Sequence, residues 1–106
     1  MINFEEFKKI ELKIATILKA EKVEESENLI KLEVDLGEEK RQILAGIQKY
    51  YETEKLVGRQ IVIVVNLEPK EMMGLESQGM LLAANVDGKP VLLQPENEVP
   101  PGSKIT

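Results

Sequence analysis

The residues with the clearest chemical potential lie in the connection 66–80, between two apolar runs that each predict a buried strand. This connection holds a proline, two glycines and three methionines, and it exceeds the roughly two to six residues usual between strands. Ser77 could be a nucleophile only with a lysine such as Lys70 as its base, because the chain contains no histidine. Long ordered connections on a rigid scaffold commonly carry binding residues, so binding is the favoured interpretation.

Adjacent acidic residues, at 5–6, 24–25 and 38–39, are the other candidates for chemistry. A general acid and base pair needs one carboxyl in an apolar pocket, whereas the sequence neighbours here are polar, which favours a solvated surface. The chain also lacks cysteine, which excludes a thiolate nucleophile and a zinc-thiolate site. The sequence therefore predicts no enzyme, no metal site and no cofactor.

Composition limits the class of protein and its partners. The 106 residues suit one domain, taken as 1–106, and the 42% hydrophobic and 31% charged content is typical of a soluble globular protein. No apolar run approaches the roughly 20 residues that cross a bilayer, and the N-terminus lacks a signal-peptide layout, so we expect a cytoplasmic location without a membrane partner. A net charge of −5 disfavours broad nucleic-acid binding and would require a local basic patch.

The hydrophobic pattern predicts an all-β chain in which strands position the connection 66–80. Alternating or continuous apolar runs predict five main strands, at 12–23, 30–36, 41–45, 60–65 and from 80 onward. The dipeptide Asp87-Gly88 predicts a hairpin turn after the fifth strand. A short helix capped by Asn3 should precede the strands, with Phe4 and Phe7 filling the end of the core, and a second should lie within 46–57.

This order of elements fits an OB-fold, a five-stranded Greek-key barrel with its helix after the third strand. The core would cover about 10–85, and the C-terminal extension of about 86–106 would serve dimerisation through Val91, Leu93 and Val99, whose apolar side chains the bare barrel leaves exposed. Barrels of this type commonly bind oligonucleotides or oligosaccharides across their second and third strands.

Basic and aromatic residues could supply a nucleic-acid surface around these strands. A local positive patch could form from Lys31, Lys40, Arg41, Lys49 and Lys70. Alternatively, these lysines and the arginine are solvated charges paired with neighbouring glutamates. Tyr50 and Tyr51 could stack on bases, although one of the two is expected in the core, and four aromatics are too few for a stacked platform. Met80 opens a strand where a flexible apolar side chain could cover a ligand face.

Eight blocks of the sequence resemble one known family, and they are 7–20, 27–32, 41–47, 50–51, 56–59, 65–69, 73–80 and 101–103. Of these, 73–80 is the most specific. The chain thereby resembles the tRNA-binding domain family, which is shared by the C-terminal extension of methionyl-tRNA synthetases, free-standing structure-specific tRNA-binding proteins and a cytokine-precursor domain of higher eukaryotes. The resemblance implies a non-catalytic homodimer with an OB-fold core. It also implies tRNA binding with little sequence preference, in support of an attached or partner methionyl-tRNA synthetase.

The resemblance also implies which residues contact RNA. In the family, the asparagine of Asn-Leu-x-Pro and the serine and methionine of Ser-x-Gly-Met line the RNA site, and these correspond here to Asn66, Ser77 and Met80. Their groups suit base or ribose edges, a 2′-hydroxyl or phosphate, and a base face, respectively. The predicted tRNA-binding set is Asn66, Ser77, Met80, Asn28, Lys31, Arg41 and Lys70.

The sequence departs from the family in ways that keep other functions open. Many relatives have lysine in place of Asn28 and basic residues in place of Glu68 and Glu71, and each lost phosphate contact flattens the salt slope by about one unit. We therefore expect modest affinity for free tRNA, with the domain raising the local tRNA concentration at a synthetase. The alternatives are a dimeric barrel of the related secretion-chaperone branch, which holds apolar peptides, and a dimerisation module whose RNA site has decayed.

Overall fold

The computed structural model describes all 106 residues and confirms the all-β prediction. The strands are Leu12–Lys22 (β1), Ile30–Asp35 (β2), Lys40–Ala45 (β3), Gln60–Val64 (β4), Lys70–Met72 (β5), Leu75–Ser77 (β6), Met80–Leu81 (β7), Ala83–Val86 (β8), Lys89–Leu92 (β9) and Lys104–Ile105 (β10). The helical elements are one short α-helix, Phe4–Phe7 (α1), and a single 3-10 turn, Thr53–Lys55. No helix is long and apolar enough to cross a membrane.

The long strand β1 organises the main sheet, whose order is β3-β2-β1-β4-β7 with β10 beside the start of β1. The first half of β1 pairs antiparallel with β4 and its second half pairs antiparallel with β2. A bulge between Ile17 and Lys19 shifts the register with β2, so that Ile17 and Ala20 both face the core. The strand therefore curls, so that it pairs with β4 along its first half and with β2 along its second half.

Aliphatic side chains on the concave face of this sheet form the core. In β2 every second residue is buried, which confirms the predicted alternation. The largest fully buried side chains are Ile17, Ile30, Leu32, Val34, Ile43, Leu56, Ile61 and Ile63. Because both sheet edges contribute to this core, β3 and β7 are brought close enough to be joined by side chains.

Hydrogen bonds between β3 and the segment 76–79 close the sheet into a barrel. The amide nitrogen of Gln42 donates to Oε1 of Gln78 at 2.9 Å, and the amide of Gln78 donates to the carbonyl of Gln42 at 2.8 Å. Next to them, Gly79 approaches the neighbouring backbone so closely that a Cβ there would lie 2.9 Å from the carbonyl oxygen of Val64. Glycine is therefore required where the segment passes over the end of β4.

The helix expected within 46–57 is absent. The segment instead makes one turn, in which the amide of Tyr51 donates to the carbonyl of Ile47 at 3.2 Å, followed by the 3-10 turn. Ile47 and Leu56 are both buried, so they anchor the two ends of this segment to the core. The OB-fold assignment, which drew on that helix, stays a prediction.

The aromatic residues of α1 do not fill the core, so that prediction is wrong. Asn3 caps the helix as predicted, because its Oδ1 accepts a hydrogen bond from the amide of Glu6 at 2.9 Å. Phe4 and Phe7, however, are 69% and 42% exposed. The strands already fill the barrel with aliphatic side chains, so a helix of four residues remains on the outside.

Two hairpins follow β4, where the sequence predicted one long loop and one hairpin. The connection 66–80 contains β5 and β6, joined at Met73 and Gly74, which both have positive φ as in a type I′ turn. The predicted turn at Asp87 and Gly88 is confirmed and joins β8 to β9. Leu92 of β9 is buried in the central core, so the C-terminal extension takes part in the barrel rather than only attaching to it.

Candidate nucleic-acid interface

Four of the predicted residues, Arg41, Asn66, Ser77 and Met80, gather at one end of the barrel, here called the motif end. Arg41 links them, because its Nη1 donates to the carbonyl of Val65 at 2.5 Å and to the carbonyl of Gln78 at 3.2 Å. Those carbonyls belong to the neighbours of Asn66 and Ser77 in the chain. A groove of about 350 Å³ opens at this end, lined by Glu39, Lys40, Arg41, Val65, Leu67, Pro69 and Gln78.

Ser77 is buried at the motif end, with 3% of its surface exposed. Its Oγ accepts a hydrogen bond from the amide of Leu44 at 3.0 Å and donates to the carbonyl of Gly79 at 3.0 Å. A hydroxyl has a single donor, and here that donor is occupied within the protein. The structure thus gives Ser77 a role in barrel closure that the sequence did not indicate.

Asn66 fastens the N-terminal segment to the end of β4. Its Oδ1 accepts from the amide of Glu11 at 2.9 Å, and its Nδ2 donates to the carbonyl of Lys9 at 2.6 Å. The residue is nevertheless exposed, and a carboxamide with these two bonds retains one N–H and one lone pair. Asn66 can therefore hold the fold and still contact a ligand.

Arg41 also helps to hold the barrel end together, and its positive charge is partly neutralised by an acidic neighbour. It lies opposite Val34, on the side of β3 that faces the core, and its guanidinium reaches the barrel end. Its Nε also forms an ion pair with Glu39. The predicted phosphate contact of Arg41 would have to compete with this carboxylate.

Met80 and Lys70 are the most accessible members of the set near the motif end. Met80 is 49% exposed and lies opposite Val64 in the sheet. Lys70 is exposed on β5, opposite Ser77, and forms no ion pair. Both side chains can meet a ligand without breaking a contact within the protein.

The outer surface of β1, β2 and β3 carries as many acidic as basic side chains. Opposite charges face each other in the strand register as Lys19 with Glu33, Lys31 with Glu21, and Lys40 with Asp35. Of these, Lys31 and Glu21 form an ion pair with 3.6 Å between Nζ and Oε2. The ion pairs of Lys31 and Arg41 match the alternative of paired, solvated charges, whereas Lys40 faces Asp35 without an ion pair.

A second groove, here called the loop groove, contains Asn28 from the predicted set. It has a volume of about 360 Å³ and lies between the loop after β1, the segment after β3 and the β8–β9 hairpin. Its lining residues are Asn28, Gly46, Lys49, Tyr50, Ala83, Ala84, Asn85, Gly88 and Pro90. Lys49 and Tyr50 were candidates for ligand contact in the sequence, but the sequence did not indicate that they lie beside Asn28.

The two adjacent tyrosines have different environments. Tyr51 is half-buried, its hydroxyl accepts from the amide of Leu92 at 3.1 Å and donates to the carbonyl of Pro90, and Arg59 lies over its ring. Tyr50 is 47% exposed, and its hydroxyl has no hydrogen-bond partner in the protein. One tyrosine is structural and the other is open to a ligand, in line with the expectation that they would differ.

Asn85 and Lys19 also line grooves, although the sequence patterns did not indicate them as candidate site residues. Asn85 lies two residues before the Asp-Gly turn, and its Oδ1 accepts from the amide of Gly88 at 2.7 Å. An asparagine so close to a hairpin turn is a readable signal for such a bond. The bulge after Ile17 turns Lys19 toward the groove on the outer surface of β1 to β3. No sequence pattern predicts this bulge.

The remaining predicted residues lie elsewhere on the surface. Val91 and Leu93 are exposed at 49% and 42%, as a contact surface would need. Val99 is half-buried, and its backbone is held by Gln60 through two hydrogen bonds of 2.7 and 3.0 Å.

The structure contains no group of three or more His, Cys, Asp or Glu side chains that could hold a metal ion. The pKa of Glu54 lies below its ordinary value because its carboxylate accepts hydrogen bonds from its own backbone amide and from the Thr53 hydroxyl. This fully exposed carboxylate stabilises the start of the 3-10 turn and faces no pocket.

Comparison with known proteins places the chain in a family. The family model described as "Putative tRNA binding domain" matches residues 12–104. A methionine–tRNA ligase from Caldanaerobacter subterraneus subsp. tengcongensis is 53% identical over 105 residues, which cover 99% of this chain and 16% of that protein. The chain therefore spans only a small part of the length of this relative.

Two solved structures share the fold along the whole chain. A MetRS-related protein from Pyrococcus horikoshii has a TM-score of 0.95 and 42% identity, covering 100% of this chain and 98% of the other. The chaperone CsaA from Bacillus anthracis str. Ames has a TM-score of 0.92 and 42% identity, covering 100% and 99%. Because a synthetase-related protein and a chaperone share this fold, the fold alone does not decide between them.

Proposed function

The chain belongs to the tRNA-binding domain family, and we propose that it binds tRNA with little sequence preference to support an attached or partner methionyl-tRNA synthetase in the cytoplasm. The domain itself is non-catalytic. We take residues 1–106 as one domain with an OB-type barrel. Holding tRNA near a synthetase raises its local concentration there, which increases aminoacylation without any chemistry in this chain.

The observation that carries this proposal is the extent of the family match. It covers residues 12–104, and the methionine–tRNA ligase relative aligns with 99% of the chain. The aligned part is only 16% of the ligase, which is consistent with an accessory tRNA-binding portion.

We assign different roles to the predicted residues. Ser77 and Arg41 stabilise the motif end of the barrel, because their polar groups form hydrogen bonds within the protein. Asn66 both positions and contacts, since it keeps one free N–H and one free lone pair. The open side chains of Met80, Lys70 and Asn28 supply contacts to the RNA, and Lys31 adds a contact by exchanging its ion pair with Glu21 for a phosphate.

Affinity should be modest and sensitive to salt. The net charge of −5 opposes the RNA, and the outer surface of β1 to β3 is close to neutral. Binding then depends on a few lysines whose phosphate contacts release counterions, each contributing about one unit to the salt slope.

We also propose a homodimer, with support from the exposed apolar residues. Val91 and Leu93 are exposed in and just after β9, and Phe4 and Phe7 are exposed on α1. Exposed apolar side chains of this size favour burial against a second copy. We therefore propose that α1 contributes to the dimer interface together with the C-terminal extension. Light scattering that gives only an 11.9 kDa species would remove the dimer.

A peptide-holding chaperone is the second candidate, and the similarity to the chaperone CsaA favours it. The same exposed apolar residues could bind an unfolded segment. Suppression of aggregation of a denatured model protein, without any tRNA binding, would support this candidate over the first.

The proposed function is tested by titrating the protein with mixed tRNA, single-stranded RNA and duplex DNA at two salt concentrations. We expect preferential binding of tRNA that weakens at higher salt. No binding to any of the three by a folded protein would contradict the proposal.

A further inference from the structure

We propose that the loop groove holds one unpaired base of the RNA, stacked on Tyr50, with Lys49 at the adjacent phosphate. This inference rests on the proposed tRNA binding and specifies which part of the RNA this surface recognises. It is carried by the exposure of a tyrosine on an anchored backbone segment, by unused polar groups around it and by the charge of the lining.

The ring of Tyr50 is exposed on a well-anchored segment. The amide of Tyr50 donates to the carbonyl of Ile47 at 3.0 Å, and Ile47 is buried. Gln48 ties the segment to the loop after β1, because its Nε2 donates to the carbonyls of Ser26 at 3.1 Å and Leu29 at 2.7 Å. Because the backbone that carries the ring is already fixed, stacking of a base requires little further ordering of the main chain.

The polar groups around the ring are free for a ligand. The side-chain amide of Asn28 makes no hydrogen bond within the protein, and the ammonium of Lys49 forms no ion pair. Asn85 is fixed through its Oδ1 by the amide of Gly88, which leaves its Nδ2 available. Carboxamides can both donate and accept, so these two residues suit the edge of a base.

The lining has the charge and the shape that a nucleotide needs. None of the nine lining residues is acidic and one is a lysine, in a chain whose net charge is −5. The groove on the outer surface of β1 to β3, in contrast, mixes four basic side chains with two glutamates. Glycines and alanines at Gly46, Ala83, Ala84 and Gly88 leave room beside Tyr50, and the volume of about 360 Å³ is within the usual range for small-ligand pockets, ~300–1,000 Å³.

The ligand class follows from the single ring. In an A-form duplex the base faces are stacked on each other, so a side chain can stack only on an unpaired base in a loop, a bulge or a single-stranded end. One exposed tyrosine without a second aromatic in the lining accommodates one such base rather than a run of bases. The groove therefore recognises an unpaired nucleotide with little sequence preference.

Tyrosine fluorescence can test the stacking directly. The chain has two tyrosines and no tryptophan, so the emission of the Tyr50→Phe variant comes from Tyr51 alone. We expect mixed tRNA to quench the wild-type emission and to leave the emission of Tyr50→Phe unchanged, while this variant still binds because phenylalanine also stacks. Equal fractional quenching of the two proteins would overturn the inference. At a concentration that saturates the protein, a short single-stranded RNA should quench as tRNA does, and a blunt RNA duplex should not.

Affinity measurements on matched variants give an independent test. Tyr50→Ala should weaken tRNA binding by about five-fold or more, and Lys49→Gln should reduce the salt slope by about one unit. The control is Lys55→Gln, on the neighbouring 3-10 turn, where the lysine is paired with Glu52 at 3.3 Å and lies outside the groove; it should change neither quantity. Thermal unfolding verifies that each variant folds.

The outcomes separate the two proposals. If the wild-type protein binds tRNA but Tyr50→Ala and Lys49→Gln bind equally well, the groove is not the site of an unpaired base, and the proposed function stands. If the wild-type protein binds no tRNA, the proposed function and this inference both fail.

Discussion

The motif end and the loop groove differ in where their polar groups are bonded. At the motif end, Ser77 and Arg41 bond to backbone groups that close the barrel. In the loop groove, Lys49 and the hydroxyl of Tyr50 have no partner within the protein. Part of the block with the most distinctive sequence therefore closes the scaffold, while the polar groups of the less distinctive loop groove remain free for a ligand.

This difference has a physical cause. A barrel whose edges are joined by side chains depends on particular donors, acceptors and a glycine at particular positions, so few sequences can replace them. A stacking surface with a lysine beside it tolerates many arrangements, because every base presents a π-face. Distinctive sequence and direct contact need not coincide.

The largest expected effect comes from disturbing the close approach at the motif end. Gly79→Ala should lower the free energy of unfolding by about 3 kcal/mol, because the new Cβ would meet the carbonyl of Val64 at 2.9 Å and strain a positive φ of 155°. Denaturant unfolding measures this change. Gly46→Ala is the matched control, since nothing lies within 4 Å of its added Cβ. Equal stability of the two variants would mean that the closure is not tight.

Removing the hydroxyl of Ser77 should have the next largest effect. Ser77→Ala leaves the amide of Leu44 without its partner inside the protein, which should cost about 2 kcal/mol in unfolding free energy. Ser103→Ala, which removes a hydroxyl bonded to the nearby carbonyl of Pro100, should cost less because that bond is exposed. If Ser77→Ala retained full stability yet abolished tRNA binding, Ser77 would be a contact residue and the distinction between the two regions would fail.

The accessible side chains should show the reverse behaviour. Lys70→Gln should leave the unfolding transition in place and reduce the slope of log affinity for tRNA against log salt by about one unit, because Lys70 is exposed and unpaired. Lys55→Gln again serves as the control. An unchanged slope for Lys70→Gln would remove this residue from the RNA surface.

The smallest effect is expected outside both regions, at Glu54. Because the pKa of this carboxyl is lower in the folded protein than its ordinary value of 4.5, its charged form contributes stability above that value, and the contribution is lost as pH falls through the folded pKa. Glu54→Gln should therefore remove a slight stabilisation seen at neutral pH but absent in strong acid. Thermal unfolding from pH 3 to pH 7 measures it, and a loss that grows toward acid would contradict the assignment.

Much of the fold was predictable because local sequence patterns, such as strand alternation and turn residues, determine it. The alternation in β2 and the Asp87-Gly88 turn follow from side-chain period and turn chemistry. The helix in 46–57 was wrong because buried anchors at Ile47 and Leu56 override local spacing. Phe7 was misplaced because nothing local indicates that the core is already full.

The sequence pointed to Asn66, Ser77 and Met80, which the structure brings to one end of the barrel, but it did not reveal their bonds within the protein, and their contact with RNA stays a prediction. The connection 66–80 does reach the barrel end, and Met80 is open there. The role of Ser77 depends on a bond to Leu44, 33 residues away in the chain, and that of Asn66 on a bond to Glu11, 55 residues away. Such pairings follow from sheet register, which the pattern of one sequence does not reveal.

The most direct test of this account is a residue-resolved NMR titration of the protein with tRNA. We predict shifts in the amides around Asn28, Lys49, Tyr50 and Met80, with the amide of Leu44 unperturbed because its bond to Ser77 is part of the barrel. Shifts concentrated at Leu44, with no shifts in the loop groove or at Met80, would contradict the distinction between the internally bonded groups of the motif end and the open side chains. The absence of any shift would contradict tRNA binding itself.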